Sequence, residues 1–327
     1  MNRKDIQYYV NGILVGDKYI LSKSVTLMES ELMEDKALSN EVLQKISTRG
    51  VDSIRIGITG VPGVGKSTFI EAFGEYLISL GNKVAVLAID PSSEKTGGSI
   101  LGDKTRMNNL STNANAFIRP SPAKGALGGV SGATRENIIL FEAAGYNVII
   151  VETVGVGQSE TLVRGMVDFF LLLMLPGAGD ELQGIKKGIM EMADGLVINK
   201  ADGGELTKAK QAQTDYKNAL HLFSPTVSGW IPQVKICSSL DKTGIDEVWK
   251  MISDFVELLN KNDFLSKNRS DQNMTWFREQ IPQTLMNEVF KNENNLELKG
   301  ELEEQIKEGK LIPKEALSQL IKGLRIK

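Results

Sequence analysis

Gly60–Thr68 reads GVPGVGKST, and this stretch decides the fold. It follows the apolar run Ile54, Ile56, Ile58 and opens an amphipathic run from Lys66 to Leu80. There Phe69, Phe73 and Leu77 recur at helical spacing before Gly81 stops it. Strand, glycine-rich turn and helix in that order make a phosphate-binding loop. Gly60, Gly63 and Gly65 let the backbone through Val61, Pro62 and Val64 turn its available N–H groups onto phosphate oxygens. The Lys66 ammonium reaches the β and γ phosphates. The Ser67 hydroxyl, followed by Thr68, stands at the helix N-terminus as a Mg²⁺ ligand. A glycine-rich turn that binds nothing is the bland alternative, and the strand before the loop and the helix behind it argue against that.

Composition bounds what surrounds the loop. A chain of 327 residues with 41% hydrophobic content can bury one large domain with appendages. A net charge of −3 provides no general attraction to nucleic acid or to anionic membranes. One cysteine, Cys237, excludes an internal disulfide, and with one histidine, His221, there is no Cys/His cluster for zinc or nickel. The N-terminal MNRKDIQYY lacks a signal-peptide core, and the apolar run Phe169–Leu175 is too short to span a bilayer. A cytoplasmic protein is expected.

Outward from the loop, short apolar runs alternate with amphipathic helices from about 50 to 260, which predicts an α/β domain with a mostly parallel sheet flanked by helices. Strands are expected at 54–58, 84–89, 147–152, 167–175, 195–199 and 233–237. Ligands of such sheets gather at strand carboxyl ends, and polar residues follow each run. Asp90, with Asp103 further on, is placed to hold Mg²⁺ beside a triphosphate. Glu152, in Glu152-Thr153-Val154-Gly155, orients the metal shell from the strand opposite the loop, where a carboxylate usually takes the form of Asp. Ser121–Val130 reads as a mobile loop, with a helix from about Ser131 to Ala144. Lys186 and Lys187 read either as a solvated helix face or as a positive charge reaching the nucleotide.

Asn199-Lys200-Ala201-Asp202 turns a nucleotide site into a guanine site. The Asp202 carboxylate accepts from both N1–H and the exocyclic amine, a donor pair that adenine lacks, while Asn199 braces the loop and Lys200 lies along the base. Backbone N–H groups of Ser238, Ser239 and Leu240 are candidate donors to guanine O6. The expected ligands are therefore GTP or GDP with Mg²⁺. Residues 1–50 form a helical extension, read either as a partner-facing arm or as a layer packed on the next domain. Residues 261–327 are wholly helical, with Phe277, Ile281, Leu285 and Val289 in an i, i+4 stripe that Pro282 should start or kink.

The blocks GVPGVGKST, DPSS, GGSILGDKTRM, ETVGVGQSE, PGAGDELQGIKKGIMEMAD, NKAD and GKLIPKEA together resemble the MeaB/ArgK family of methylmalonyl-CoA mutase-associated GTPases. That resemblance implies a P-loop GTPase of the all-parallel SIMIBI class and a homodimer made by a C-terminal dimerisation arm. It also implies work as a chaperone of an adenosylcobalamin-dependent acyl-CoA mutase, gating cofactor loading and protecting the mutase from inactivation. Lys66 and Ser67 would hold phosphate and Mg²⁺, with Asp90, Asp103 and Glu152 around the metal. Gln183 and Lys186 would lie on a further switch that responds to the mutase. Ser239 departs from the family, where Ala is usual. Two alternatives stay open: a metallochaperone-type GTPase, and a kinase linked to basic amino-acid transport.

Overall fold

A computed structural model describes residues 3–47, 52–90, 107–122, 127–153, 159–177, 187–221 and 227–325. The chain forms two compact units, Met1–Arg269 and Ser270–Lys327.

In the first unit the strands are β1 (Ile54–Gly60), β2 (Val84–Asp90), β3 (Ala116–Pro122), β4 (Val148–Thr153), β5 (Phe169–Met174), β6 (Gly195–Ile198) and β7 (Gln233–Ile236). They form one seven-stranded sheet in the order β3-β2-β4-β1-β5-β6-β7, with every pairing parallel. The crossover helices are α4 (Lys66–Ser79), α5 (Asn108–Thr112), α6 (Leu127–Ala143), α7 (Ser159–Arg164), α8 (Lys187–Met192) and α9 (Leu206–Leu220), and α10 (Ile245–Lys261) follows the last strand. Alternation of side chains across β1 divides the core. Ile54, Ile56 and Ile58 pack with Phe69 and Phe73 of α4 and with Val248, Met251 and Phe255 of α10. On the other face Ile149 and Val151 of β4 pack with Ile138 and Phe141 of α6. Strands buried on both faces carry near-continuous apolar runs, which is why FFLLLM forms β5.

Strand β3 was not expected from the sequence, and it contains Pro120 and Pro122. It lies at the sheet edge, paired only to β2, where a missing N–H costs no ladder bond. The mobile loop expected over Ser121–Val130 is corrected at both its ends, while residues 123–126 lie outside the described residues. Ser121 and Pro122 end β3, and Leu127–Val130 already belong to α6. Gly128 and Gly129 lower helix propensity, but tertiary context overrides so weak a preference.

The N-terminal helices α1 (Ile6–Leu14), α2 (Lys18–Met28) and α3 (Met33–Ile46) form a packed layer, the second of the two sequence readings. Ile13, Leu21, Val25, Val42 and Ile46 share a core with α6, β2 and β4. Asp5 and Asp17 cap α1 and α2 by accepting backbone N–H bonds. At the opposite end of the sheet from the phosphate loop, Arg269 forks onto Asp168 at 2.7 and 2.6 Å. Arg164 pairs with Asp194 at 2.9 Å.

Helix α11 (Phe264–Val289) runs through Pro282, so that residue does not start it. The second unit continues with α12 (Glu293–Lys307) and α13 (Pro313–Gly323). Asn295, buried, donates to Val289 O and Arg325 O and accepts from Arg325 N, which pins the chain end against α12. Phe277, Ile281 and Leu285 are exposed on this chain, as are Leu317 and Ile321. Among the described residues, no helix is long and apolar enough to cross a membrane.

Candidate guanine-nucleotide site

The carboxyl ends of β1, β4 and β6 bring the predicted loops together. Gly60 must be glycine, because a Cβ there would lie 2.6 Å from the Leu173 carbonyl of the neighbouring strand. Gly65, at φ 91°, is left-handed and caps α4, and a Cβ there would meet Asn199 Nδ2 at 3.1 Å. The backbone from Val61 to Gly65 is thereby held as a cradle at the N-terminus of α4, where helix N–H groups favour an anion. Pro62, Gly63 and Thr68 are exposed at its rim, while Val64 is buried beneath it.

Lys66 Nζ donates to Gly60 O at 2.9 Å, so the ammonium lies folded over the loop that it serves. Burial pushes its pKa below the ordinary lysine value, and the carboxylates of Glu152 and Glu160 oppose that shift. The Ser67 hydroxyl donates a long 3.4 Å bond to Glu152 Oε1. Glu152, the penultimate residue of β4, is 6% exposed. A hydroxyl and a carboxylate meeting beside a phosphate cradle are hard oxygen donors that suit Mg²⁺. The residues present therefore fit both the nucleotide phosphates and the ion. Asp90 closes β2, but its side chain lies outside the described residues, as do Asp103, Gln183 and Lys186. Among the described residues, no group of three or more His, Cys, Asp or Glu is gathered for a metal.

The base loops are tied to the cradle through Asn199. Its Nδ2 donates to Val64 O at 2.9 Å, and its Oδ1 accepts from Ser239 N at 3.1 Å and from Ser239 Oγ at 2.7 Å. Lys200, at φ 60°, donates from Nζ to Gly63 O at 2.7 Å, which lays its stem along the loop. Ser238 Oγ donates to Asp202 Oδ2 at 2.8 Å and accepts from Asp241 N at 3.0 Å, which sets the carboxylate plane. Ser238 N–H is turned onto Thr243 O, and Ser239 N–H onto Asn199. Among the described bonds, Leu240 N–H alone of those three has no acceptor within the protein. Cys237, just past the end of β7 rather than within a strand, is buried, and burial pushes its thiol up to about 12.

Two features of the site escaped sequence reading. Glu160 is 1% exposed and acts on the charge of Lys66, yet a glutamate in a helix first turn reads as ordinary dipole compensation. Thr153 Oγ1 donates to Thr59 Oγ1 at 2.8 Å, a contact between residues far apart in sequence that no motif announces.

A phosphate cradle with its lysine, a serine–glutamate pair and an Asn-Lys-x-Asp base loop on a parallel sheet define a P-loop GTPase, which hydrolyses GTP. The chain belongs to the family of methylmalonyl-CoA mutase-associated GTPases called MeaB, whose sequence model matches residues 21–294. It is similar to GTPase ArgK of Escherichia coli (strain K12), 47% identical over 320 residues, which cover 98% of this chain and 97% of that protein. It is also similar to the mitochondrial methylmalonic aciduria type A homolog of Mus musculus, 41% identical over 325 residues, which cover 96% of this chain and 78% of that one. Among solved structures, that of an LAO/AO transport system kinase aligns over 98% of both chains, with a TM-score of 0.76 and 40% identity.

Proposed function

We propose that the protein is a GTP-hydrolysing chaperone of an adenosylcobalamin-dependent acyl-CoA mutase of the methylmalonyl-CoA mutase type, gating cofactor loading and protecting the mutase from inactivation. The observation that supports this most is the family match across residues 21–294, which takes in every loop assigned to the nucleotide in this reading. In this reading Lys66 leaves Gly60 O for the β and γ phosphates, where a full positive charge opposes the charge that develops on transfer. Ser67 and Glu152, with Asp90 and Asp103, would hold Mg²⁺, which would supply positive charge against the phosphates. Asp202, oriented by Ser238, reads the guanine edge, and Asn199 keeps that loop in register with the phosphates.

Gln183 and Lys186 belong to the segment that responds to the mutase, and Lys186 supplies a cation worth roughly 10³ to 10⁵ in rate when it is brought to the phosphates. Residues 261–327 form the arm of a homodimer, whose exposed stripes at Phe277, Ile281 and Leu285 need a partner surface. The test is a pull-down of purified methylmalonyl-CoA mutase, with and without a non-hydrolysable GTP analogue, followed by hydrolysis rates in its presence. Nucleotide-dependent capture and a stimulated rate that Lys186→Ala loses are expected; no capture in any nucleotide state would end the mutase reading. The name borne by the LAO/AO relative favours a second reading, a kinase linked to basic amino-acid transport. Transfer of label from γ-labelled GTP to a transport protein would establish that one instead.

A further inference from the structure

The geometry points to Thr59 and Thr153 as a pair of positioning residues for GTP hydrolysis, a hydroxyl clip that fixes the end of β4 to the strand carrying the phosphate loop. The inference rests on the GTPase activity and is independent of the mutase reading. Thr59 and Thr153 are 2% and 0% exposed, and Thr153 Oγ1 donates to Thr59 Oγ1 at 2.8 Å. The parallel register pairs Ile58 with Glu152, so the two threonines continue that ladder side by side.

Alternation along the strands puts the clip and the site on opposite faces of the same peptides. Ile150, and hence Glu152, faces the side of α4, where the Glu152 carboxylate meets Ser67. Val151 and Thr153 face the other side, as does Gly57, where an added Cβ would strike Val163 and Phe170. Thr59 immediately precedes Gly60, whose carbonyl holds Lys66 Nζ. One buried bond therefore sets the distance between the residue before the lysine's anchor and the residue after the metal-facing glutamate. Valine would fill the same shape in either place. What valine cannot provide is a directional link at a fixed length.

The test separates positioning from packing. Removing one hydroxyl leaves its partner buried and unpaired, whereas replacing both by isosteric apolar groups is close to neutral for stability. In the full-length protein the Thr59→Val/Thr153→Val double variant is expected to unfold near the wild-type temperature and to bind GDP within about twofold of wild type. Its kcat should nonetheless fall about tenfold, the factor that corresponds to one buried hydrogen bond. Thr153→Ser, which keeps the hydroxyl, is expected to retain kcat within about threefold, and Thr153→Ala to lose it. Wild-type kcat in the double variant, or equal losses in Thr153→Ser and Thr153→Ala, would overturn the proposal. A fall in kcat matched by the same fall in GDP affinity would do so too, because the site as a whole would then have been lost.

Discussion

Asp202→Asn isolates base recognition from everything else the site does. In the wild-type protein, Oδ2 of Asp202 accepts from Ser238 Oγ at 2.8 Å, and in the proposed reading the carboxylate also accepts from the base edge. An amide retains one acceptor. If that oxygen stays with Ser238, the amide nitrogen faces guanine's exocyclic amine, donor against donor. If it turns to the base, the nitrogen faces Ser238, whose oxygen already accepts from Asp241 N. Either way, one or both charge-assisted bonds to guanine are lost, at about 1.5–3 kcal/mol each. GTP affinity should therefore fall by about 10- to 10⁴-fold, since 1.4 kcal/mol is a factor of ten. Xanthine carries a carbonyl where guanine carries the amine, so the amide can donate to it while its oxygen accepts from N1–H. The variant should then prefer XTP, with an unchanged fold and unchanged Mg²⁺ dependence. Competitive displacement of a fluorescent guanine nucleotide from both proteins by GTP, XTP and ATP gives the answer. A variant that keeps the wild-type preference for GTP over XTP would refute the role of Asp202 and of the loop that orients it.

Three further outcomes are expected. Lys66→Ala should abolish hydrolysis while leaving the circular-dichroism spectrum unchanged, because alanine cannot bring charge to the β and γ phosphates; a wild-type rate would remove the lysine from the mechanism. Arg269→Met should cost about 3–5 kcal/mol of stability in urea titration, because it leaves the fully buried Asp168 carboxylate without its forked partner; a change under about 1 kcal/mol would mean that water replaces the guanidinium. Asn137 on α6 is fully buried, and among the described residues neither its amide nitrogen nor its oxygen has a hydrogen-bond partner. Asn137→Leu, of the same branching, should raise the urea midpoint by the equivalent of about 1–3 kcal/mol, and a lowered midpoint would show that the amide is satisfied in solution.

The sequence by itself determined whatever depends on local chemistry. Glycines between an apolar run and a helix specify the cradle whichever fold surrounds it, and Asn199 to Asp202 carry the donor–acceptor pattern expected to read one base. Periodicity placed six of the seven strands, because strands buried on both faces must be apolar throughout. Strand β3 was illegible: Pro120 and Pro122 have turn chemistry, and only the neighbouring β2 makes an edge position where their missing N–H groups do no harm. The glycines at the start of α6 hid its first turn in the same way, and the helical layer of α1 to α3 could not be told from a free arm until α6 and the sheet supplied the surface that it covers. Side-chain partners across long separations were likewise decided only by the tertiary structure. Asn199 meets Val64, Ser238 meets Asp202, and Thr153 meets Thr59 because parallel strands bring their carboxyl ends to one edge. A hydrogen bond between residues so far apart leaves no periodic trace in the chain, so nothing short of the fold reveals which hydroxyl aims at which carboxylate.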